Sequence, residues 1–170
     1  AHAERDRDIA MIAEGKDGAV VLQKLNDLQQ AISSGRSQKG ITQEYITSVV
    51  QQLAHPREIN QGGDITCTQT AGMWEIYKYN PLYAVTLSSD LAVKGVATLK
   101  GGKEISLAAS DLIKDTKEEV QRFDQRTQSE KVFQKAMFRA FSQERVGTYP
   151  SGHVVSMRET NTKLFVEQRA

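Results

Sequence analysis

One cysteine stands in the 170-residue chain, at position 67, and its neighbours decide whether it can do chemistry. Gln61 lies six residues ahead of it and is followed by Gly62 and Gly63. Cysteine is a nucleophile only as a thiolate, and a helix N-terminus favours the thiolate through unsatisfied N–H groups and the helix dipole. Met73, Ile76 and Tyr77 follow at helical spacing, which predicts a helix headed by Cys67. The Gln61 side-chain amide, with the backbone N–H of Cys67, can then face the oxygen of a tetrahedral intermediate. Loss of such a donor typically slows acyl transfer about 10²–10³-fold. Gly62 and Gly63 allow the loop to bend back for that purpose.

A thiol nucleophile needs a base, and the chain has three histidines. His2 belongs to a terminus expected to fray, and His55 precedes a proline at a helix end. His153 follows Pro150-Ser151-Gly152 and opens the apolar run Val154-Val155, so a strand can hold its ring at the rim of a sheet. If Thr160 and Asn161 form a tight turn, Glu159 pairs with Thr162 and His153 falls opposite Gln168. Such partners have Cβ atoms roughly 4.5–5.5 Å apart on one face. The Gln168 carbonyl would then accept from one ring nitrogen and fix the tautomer, the task of the third member of a triad. A slip of one residue brings Glu167 nearer, and Gln168 ranks above it. Cys67, His153, Gln168 and Gln61 together are the parts of an acyl-transfer site.

These residues resemble the papain-like cysteine proteases. Asn60-Gln61-Gly62 followed by Cys67 is similar to the family's oxyanion-glutamine and nucleophile segment, and Gly152-His153-Val154-Val155 to its catalytic histidine and apolar strand. Gln168 occupies the place where such enzymes usually have asparagine. The resemblance implies Cys67 as nucleophile, His153 as general base and acid, Gln61 as oxyanion donor and Gln168 as the orienting residue, with no cofactor and no metal. It also implies a depressed thiol pKa, the behaviour for which papain is itself the reference case. The departures are specific: Thr68 stands where a tryptophan usually follows the nucleophile, the cysteine-rich surround of the plant and lysosomal enzymes is absent, and no Asn-Ser-Trp follows the second strand. This pattern resembles compact bacterial relatives, the bacteriocin-processing peptidases and the papain-fold toxins and effectors, more than a cathepsin. Residues 1–50 lie outside it.

The elements that must position these residues are mostly helical. Ile9, Ile12 and Ala13 fit one stripe, and Val20, Val21, Leu25, Leu28 and Ile32 a second that ends at Ser33-Ser34-Gly35. Thr42 can cap a third helix, with Ile46, Val49, Val50 and Leu53 on its apolar face and an end before His55-Pro56. Turn formers fill 57–66. After the Cys67 helix, Asn80-Pro81 breaks the pattern, and a helix from Pro81 carries Leu82, Val85, Leu87 and Leu91 to Gly95. VATLKGGKEISLA predicts a hairpin turning at Lys100-Gly101-Gly102-Lys103. Asp111 to Glu144 is expected to be helix, with the charged run from Lys114 to Lys131 as its solvated face. The remainder reads as strand, turn, strand. Trp74, Tyr77, Tyr79 and Tyr83 read as core packing in preference to a substrate groove.

The expected fold class is α+β and papain-like: a helical lobe or appendage at 1–54, and a catalytic core at 55–170 with the nucleophile helix packed on a C-terminal antiparallel sheet. With 39% hydrophobic and 25% charged residues, one globular core is expected. The formal charge of +1 arises from 22 basic and 21 acidic residues that are well mixed, which argues against a nucleic-acid partner. A single cysteine excludes an internal disulfide and clustered-thiolate metal sites. No window approaches a membrane span, and the N-terminal segment has no apolar signal core. The start at Ala1 leaves open a mature form or an excised domain, and the compartment stays open between a soluble resident protein and one secreted or delivered into a target cell. The expected substrate is a protein or peptide. An inhibitor or a delivery partner is compatible with the 1–54 segment. Two other classes remain: a glutamine deamidase or transglutaminase using the same Cys-His pair, and a non-catalytic binding module on the same scaffold.

Overall fold

The computed structural model describes residues 2–61, 67–113 and 124–142. Among them are six helices and one two-stranded antiparallel sheet, an α+β arrangement in which helix dominates. The helices are α1 (His2–Glu14), α2 (Gly18–Ser33), α3 (Gln43–Ala54), α4 (Cys67–Tyr79), α5 (Pro81–Lys94) and α6 (Gln128–Ser142); the strands β1 (Val96–Thr98) and β2 (Glu104–Ser106) lie between the last two helices.

Burial follows the sequence stripes. Val21, Leu25 and Leu28 of α2 face inward, as do Tyr45, Ile46, Val49, Val50 and Leu53 of α3 and Ala84, Leu87 and Leu91 of α5. The spacing of three and four residues puts each set on one helix face, and that face is what stabilises helices too short to persist alone. These residues form one apolar cluster, which runs from Ile12 in α1 to Met137 in α6. Residues on both sides of position 54 therefore share a core. Helix α2 packs on α5, α1 lies across α2 and α3, and α6 contacts α3, α4 and β2.

Local chemistry sets the boundaries. Pro81 is the first residue of α5, Asn80 caps it by accepting from the Tyr83 N–H at 3.3 Å, and Gly95 ends it in the left-handed region at φ 75°. In the hairpin Val96 pairs with Ser106, Ala97 with Ile105 and Thr98 with Glu104. Gly101 and Gly102 supply the positive φ values of the turn, 93° and 92°, that other residues rarely adopt. Ala97 and Ile105 are directly opposed and both buried.

The long helix expected from Asp111 to Glu144 is not continuous. A short 3-10 turn covers Ala109–Leu112, residues 124–127 are not helical, and α6 starts only at Gln128. Thr127 explains the start: its N–H and Oγ donate to Oε1 of Glu130 at 3.0 and 2.7 Å, and its carbonyl accepts from Lys131 N at 3.0 Å. Thr127 and Glu130 have the spacing of a capping box. The solvated face expected across Lys114–Lys131 also fails at Arg126, which is buried and paired with Asp124. The C-terminal strand, turn and strand lie outside the described residues, so the described sheet is the β1–β2 hairpin.

Candidate functional site

Cys67 is the first described residue of α4, whose buried Met73, Ile76 and Tyr77 lie at helical spacing. The exposed residue Gln61 ends the preceding described segment, beyond a short 3-10 turn at Pro56–Glu58. Gly62 and Gly63, and His153, Gln168 and Glu167, lie outside the described residues. Of the proposed triad and its oxyanion donor, the described structure thus contains Gln61 and the position of Cys67 in α4. Gln69, two residues into the same helix, is buried with its side-chain carbonyl without a hydrogen-bond partner, an unusual condition for a buried polar atom.

The neighbourhood of Gln61 is built by α6. The N–H of Asn60, the residue just before Gln61, donates to Glu130 Oε2, and the Asn60 carbonyl accepts from Gln134 Nε2 at 2.8 Å. Gln134 is wholly buried, and its Oε1 accepts from Arg126 Nη1 at 3.2 Å. Arg126 Nε and Nη2 in turn donate to the two Asp124 carboxylate oxygens at 2.9 and 2.8 Å. That hydrogen bonding from Arg126 holds the Asp124 carboxyl below its usual pKa, against the opposing effect of partial burial. The Gln134 Nε2 also lies 3.8 Å from the sulfur of Met73, a buried residue of α4. One side chain of α6 therefore touches both the approach to Gln61 and the helix that contains Cys67.

The same network reaches α3. Thr127 Oγ accepts from Gln52 Nε2 at 3.1 Å, Ser129 Oγ donates to Gln52 Oε1 at 2.9 Å, and Ser48 Oγ lies 2.7 Å from Ser129 Oγ. Beside it a cleft of about 330 Å³ opens, with Asp8, Gln52, His55, Asn60 and Glu130 in its walls. His55 is paired there with Asp8, Nε2 to Oδ1 at 2.8 Å. This contact gives His55 a structural partner 47 residues away in the chain. His2 begins α1 and is exposed.

The aromatic residues of this region divide. Tyr77 is buried in the core against Phe133. Trp74 and Tyr79 meet edge to face at 6.5 Å with the Lys78 ammonium over both rings, and Tyr79 is largely exposed. Core packing therefore accounts for Tyr77 and not for Tyr79.

Glu130 and Gln134 escaped the sequence reading. Thr127-Gln128-Ser129-Glu130 carries a helix-start signature that would have exposed the first, but a glutamine among Val132, Phe133 and Met137 announces nothing. Among the described residues no group of three or more His, Cys, Asp or Glu side chains is arranged to hold a metal ion, and no helix is long and apolar enough to cross a membrane. No family model matches the chain, and no curated protein or solved structure matches it.

Proposed function

We propose that this chain is a papain-like cysteine peptidase, which hydrolyses a peptide bond through a thioester on Cys67. The observation that carries the reading is that Cys67 is the first described residue of α4, which runs on through Tyr79. In this reading the helix starts there, and its unsatisfied N–H groups and the positive end of its dipole favour the thiolate. The exposed Gln61, six residues upstream, supports it as a donor to the developing oxyanion. In this reading His153 takes the thiol proton and returns it to the leaving amine, and Gln168 or Glu167 orients the ring. Water then releases the acyl group. The finer assignment of the fold as papain-like, and a role as a bacterial toxin or effector, rest on the resemblance of Asn60-Gln61-Gly62, Cys67 and Gly152-His153-Val154-Val155.

Two measurements test the proposal. Cys67 should react with iodoacetamide at neutral pH at least about 10-fold faster than a free model thiol, because more of it is thiolate, and His153→Ala should abolish that advantage. Incubation with unfolded casein should yield new peptide termini by mass spectrometry with the wild type and none with Cys67→Ala. A thiol of ordinary reactivity that ignores His153→Ala would refute the catalytic reading. Ammonia release without chain cleavage would move the assignment to a glutamine deamidase.

A further inference from the structure

We infer that Glu130 and Gln134 of α6 are positioning residues for the oxyanion donor: by gripping both backbone polar groups of Asn60 they set where Gln61 stands relative to the head of α4. The inference rests on the acyl-transfer reading of Cys67 and Gln61.

The Asn60 carbonyl belongs to the peptide plane that ends at the nitrogen of Gln61. A peptide unit is planar and rigid, so the 2.8 Å bond from Gln134 to that carbonyl orients the plane from which Gln61 departs. Glu130, accepting from the Asn60 N–H, orients the preceding plane. Held on both sides, Asn60 has little freedom to swing the residue that follows it. The Gln134 amide itself has one workable orientation. Its oxygen faces the Arg126 guanidinium and its nitrogen faces the Asn60 carbonyl; a flipped amide would set donor against donor and acceptor against acceptor. Because Gln134 is wholly buried, these bonds form away from water, where an unpaired partner is costly.

The second contact of Gln134 makes this a matter of catalysis as well as folding. The same nitrogen that holds Asn60 lies against Met73, so one buried side chain touches both the segment leading to Gln61 and the helix that contains Cys67. An oxyanion donor works only when aimed at the place the charge will occupy, and a displacement of about 1 Å can cost on the order of 10²-fold in rate.

The test uses the full chain and two probes that differ in their need for an oxyanion donor. With p-nitrophenyl acetate the Cys67 sulfur bonds the acetyl carbon, the ester C–O bond breaks, and p-nitrophenolate leaves with the electron pair, by way of a tetrahedral oxyanion. With iodoacetamide the sulfur displaces iodide and no oxyanion forms. Gln61→Ala should slow acetylation about 10²-fold and leave alkylation unchanged. Gln134→Met, which keeps length and apolar contact, should slow acetylation at least about 10-fold with alkylation unchanged, and should add nothing in a Gln61→Ala background. Glu130→Gln keeps an acceptor for Thr127 while turning an amide nitrogen toward the Asn60 N–H. It should follow the same pattern, and it carries the test if Gln134→Met loses its far-UV circular dichroism. Equal slowing by Gln134→Met with and without Gln61, or parallel loss of alkylation, would overturn the inference and leave the reading of Cys67 intact. Absence of an acetyl adduct on wild-type Cys67, or indifference to Gln61→Ala, would instead overturn the acyl-transfer reading on which the inference depends.

Discussion

Nε2 of His55 lies 2.8 Å from Oδ1 of Asp8, which joins α1 to the residue that ends α3. Asp8 is a buried polar residue of α1, its carboxylate almost wholly covered, while the His55 side chain is about a third exposed and lines the cleft. Burial makes the partner obligatory, because an unpaired acceptor away from water carries its full desolvation penalty. His55→Ala should therefore destabilise the protein by about 2 kcal/mol, with α1 the first element to lose amide-exchange protection. Asp8→Asn in the same assay should cost less, since the amide oxygen still accepts. A urea midpoint unchanged by His55→Ala would show that the pair contributes nothing.

Tyr45 and Tyr77 converge on one serine. The Tyr45 hydroxyl donates to the Ser88 carbonyl at 2.7 Å, and the Tyr77 hydroxyl lies 2.5 Å from the Ser88 hydroxyl. Burial raises both phenols above their ordinary pKa near 10, the neighbouring Tyr77 adding to the effect at Tyr45, while the bonds to Ser88 act the other way. A pKa raised on folding means that the folded state holds its protons more tightly. The associated stability is complete below the unfolded value of about 10 and is lost as the pH rises beyond it toward the folded values. Unfolding free energy measured in urea should fall steeply above about pH 10, with tyrosinate absorbance from these two residues appearing together with unfolding. Tyr45→Phe should cost about 1 kcal/mol at pH 7 and flatten the alkaline slope. Tyrosinate absorbance from Tyr45 in a protein that remains folded would contradict this account.

Most of the helical frame was legible because its signals are local. The α2, α3 and α5 stripes, Pro81 and Gly95 at the ends of α5, and the two glycines of the hairpin turn each act within a few residues of chain. The helix that contains Cys67 was legible in the same way, from the spacing of Met73, Ile76 and Tyr77. What escaped depends on residues far apart in sequence. Nothing near Asn60 foretells that Glu130 and Gln134 will hold its backbone, nor does the charged run around Arg126 foretell that Asp124 and Gln134 will satisfy a buried guanidinium. The break before α6 is the exception: Thr127 and Glu130 spelled it out locally, and the weight of surrounding charge concealed it. His153 and Gln168, expected on paired strands, lie outside the described residues.

Arg139 closes the C-terminal half of the described core. It donates from Nη1 and Nη2 to the two Asp111 oxygens, each at 2.7 Å, and from Nη2 to the Ser106 carbonyl at 2.7 Å, joining α6 to the 3-10 turn and to β2. Asp111 is buried, whereas about a third of the arginine side chain is exposed. Removing the arginine leaves a buried carboxylate with, among the described residues, the Ala108 N–H for compensation. Arg139→Ala should cost about 3 kcal/mol in denaturant unfolding. Arg139→Lys should recover only part, because an ammonium cannot reproduce the planar fork that meets both oxygens. Full recovery with lysine would reduce the contact to its charge.

Gly95 and Gly35 allow backbone strain to be separated from a steric contact. Both have left-handed φ, 75° and 72°, so alanine at either position carries a similar conformational penalty of about 1 kcal/mol. Their surroundings differ. A Cβ at Gly35 meets nothing within 4 Å, while one at Gly95 comes within 3.1 Å of Gln38 Oε1. Gln38 is held there because its backbone N–H donates to the Ala92 carbonyl at 2.7 Å and its side-chain nitrogen to the Val93 carbonyl at 2.9 Å, so it covers the C-terminal carbonyls of α5. Gly35→Ala should lower stability by the backbone penalty alone. Gly95→Ala should lower it further, roughly doubling the loss if the Gln38 side-chain bond is surrendered. Gln38→Ala should then make Gly95→Ala no more harmful than Gly35→Ala in the same thermal unfolding assay, since the second loss has already occurred. Equal effects of the two glycine substitutions in the wild-type background would show that Gln38 moves aside without loss.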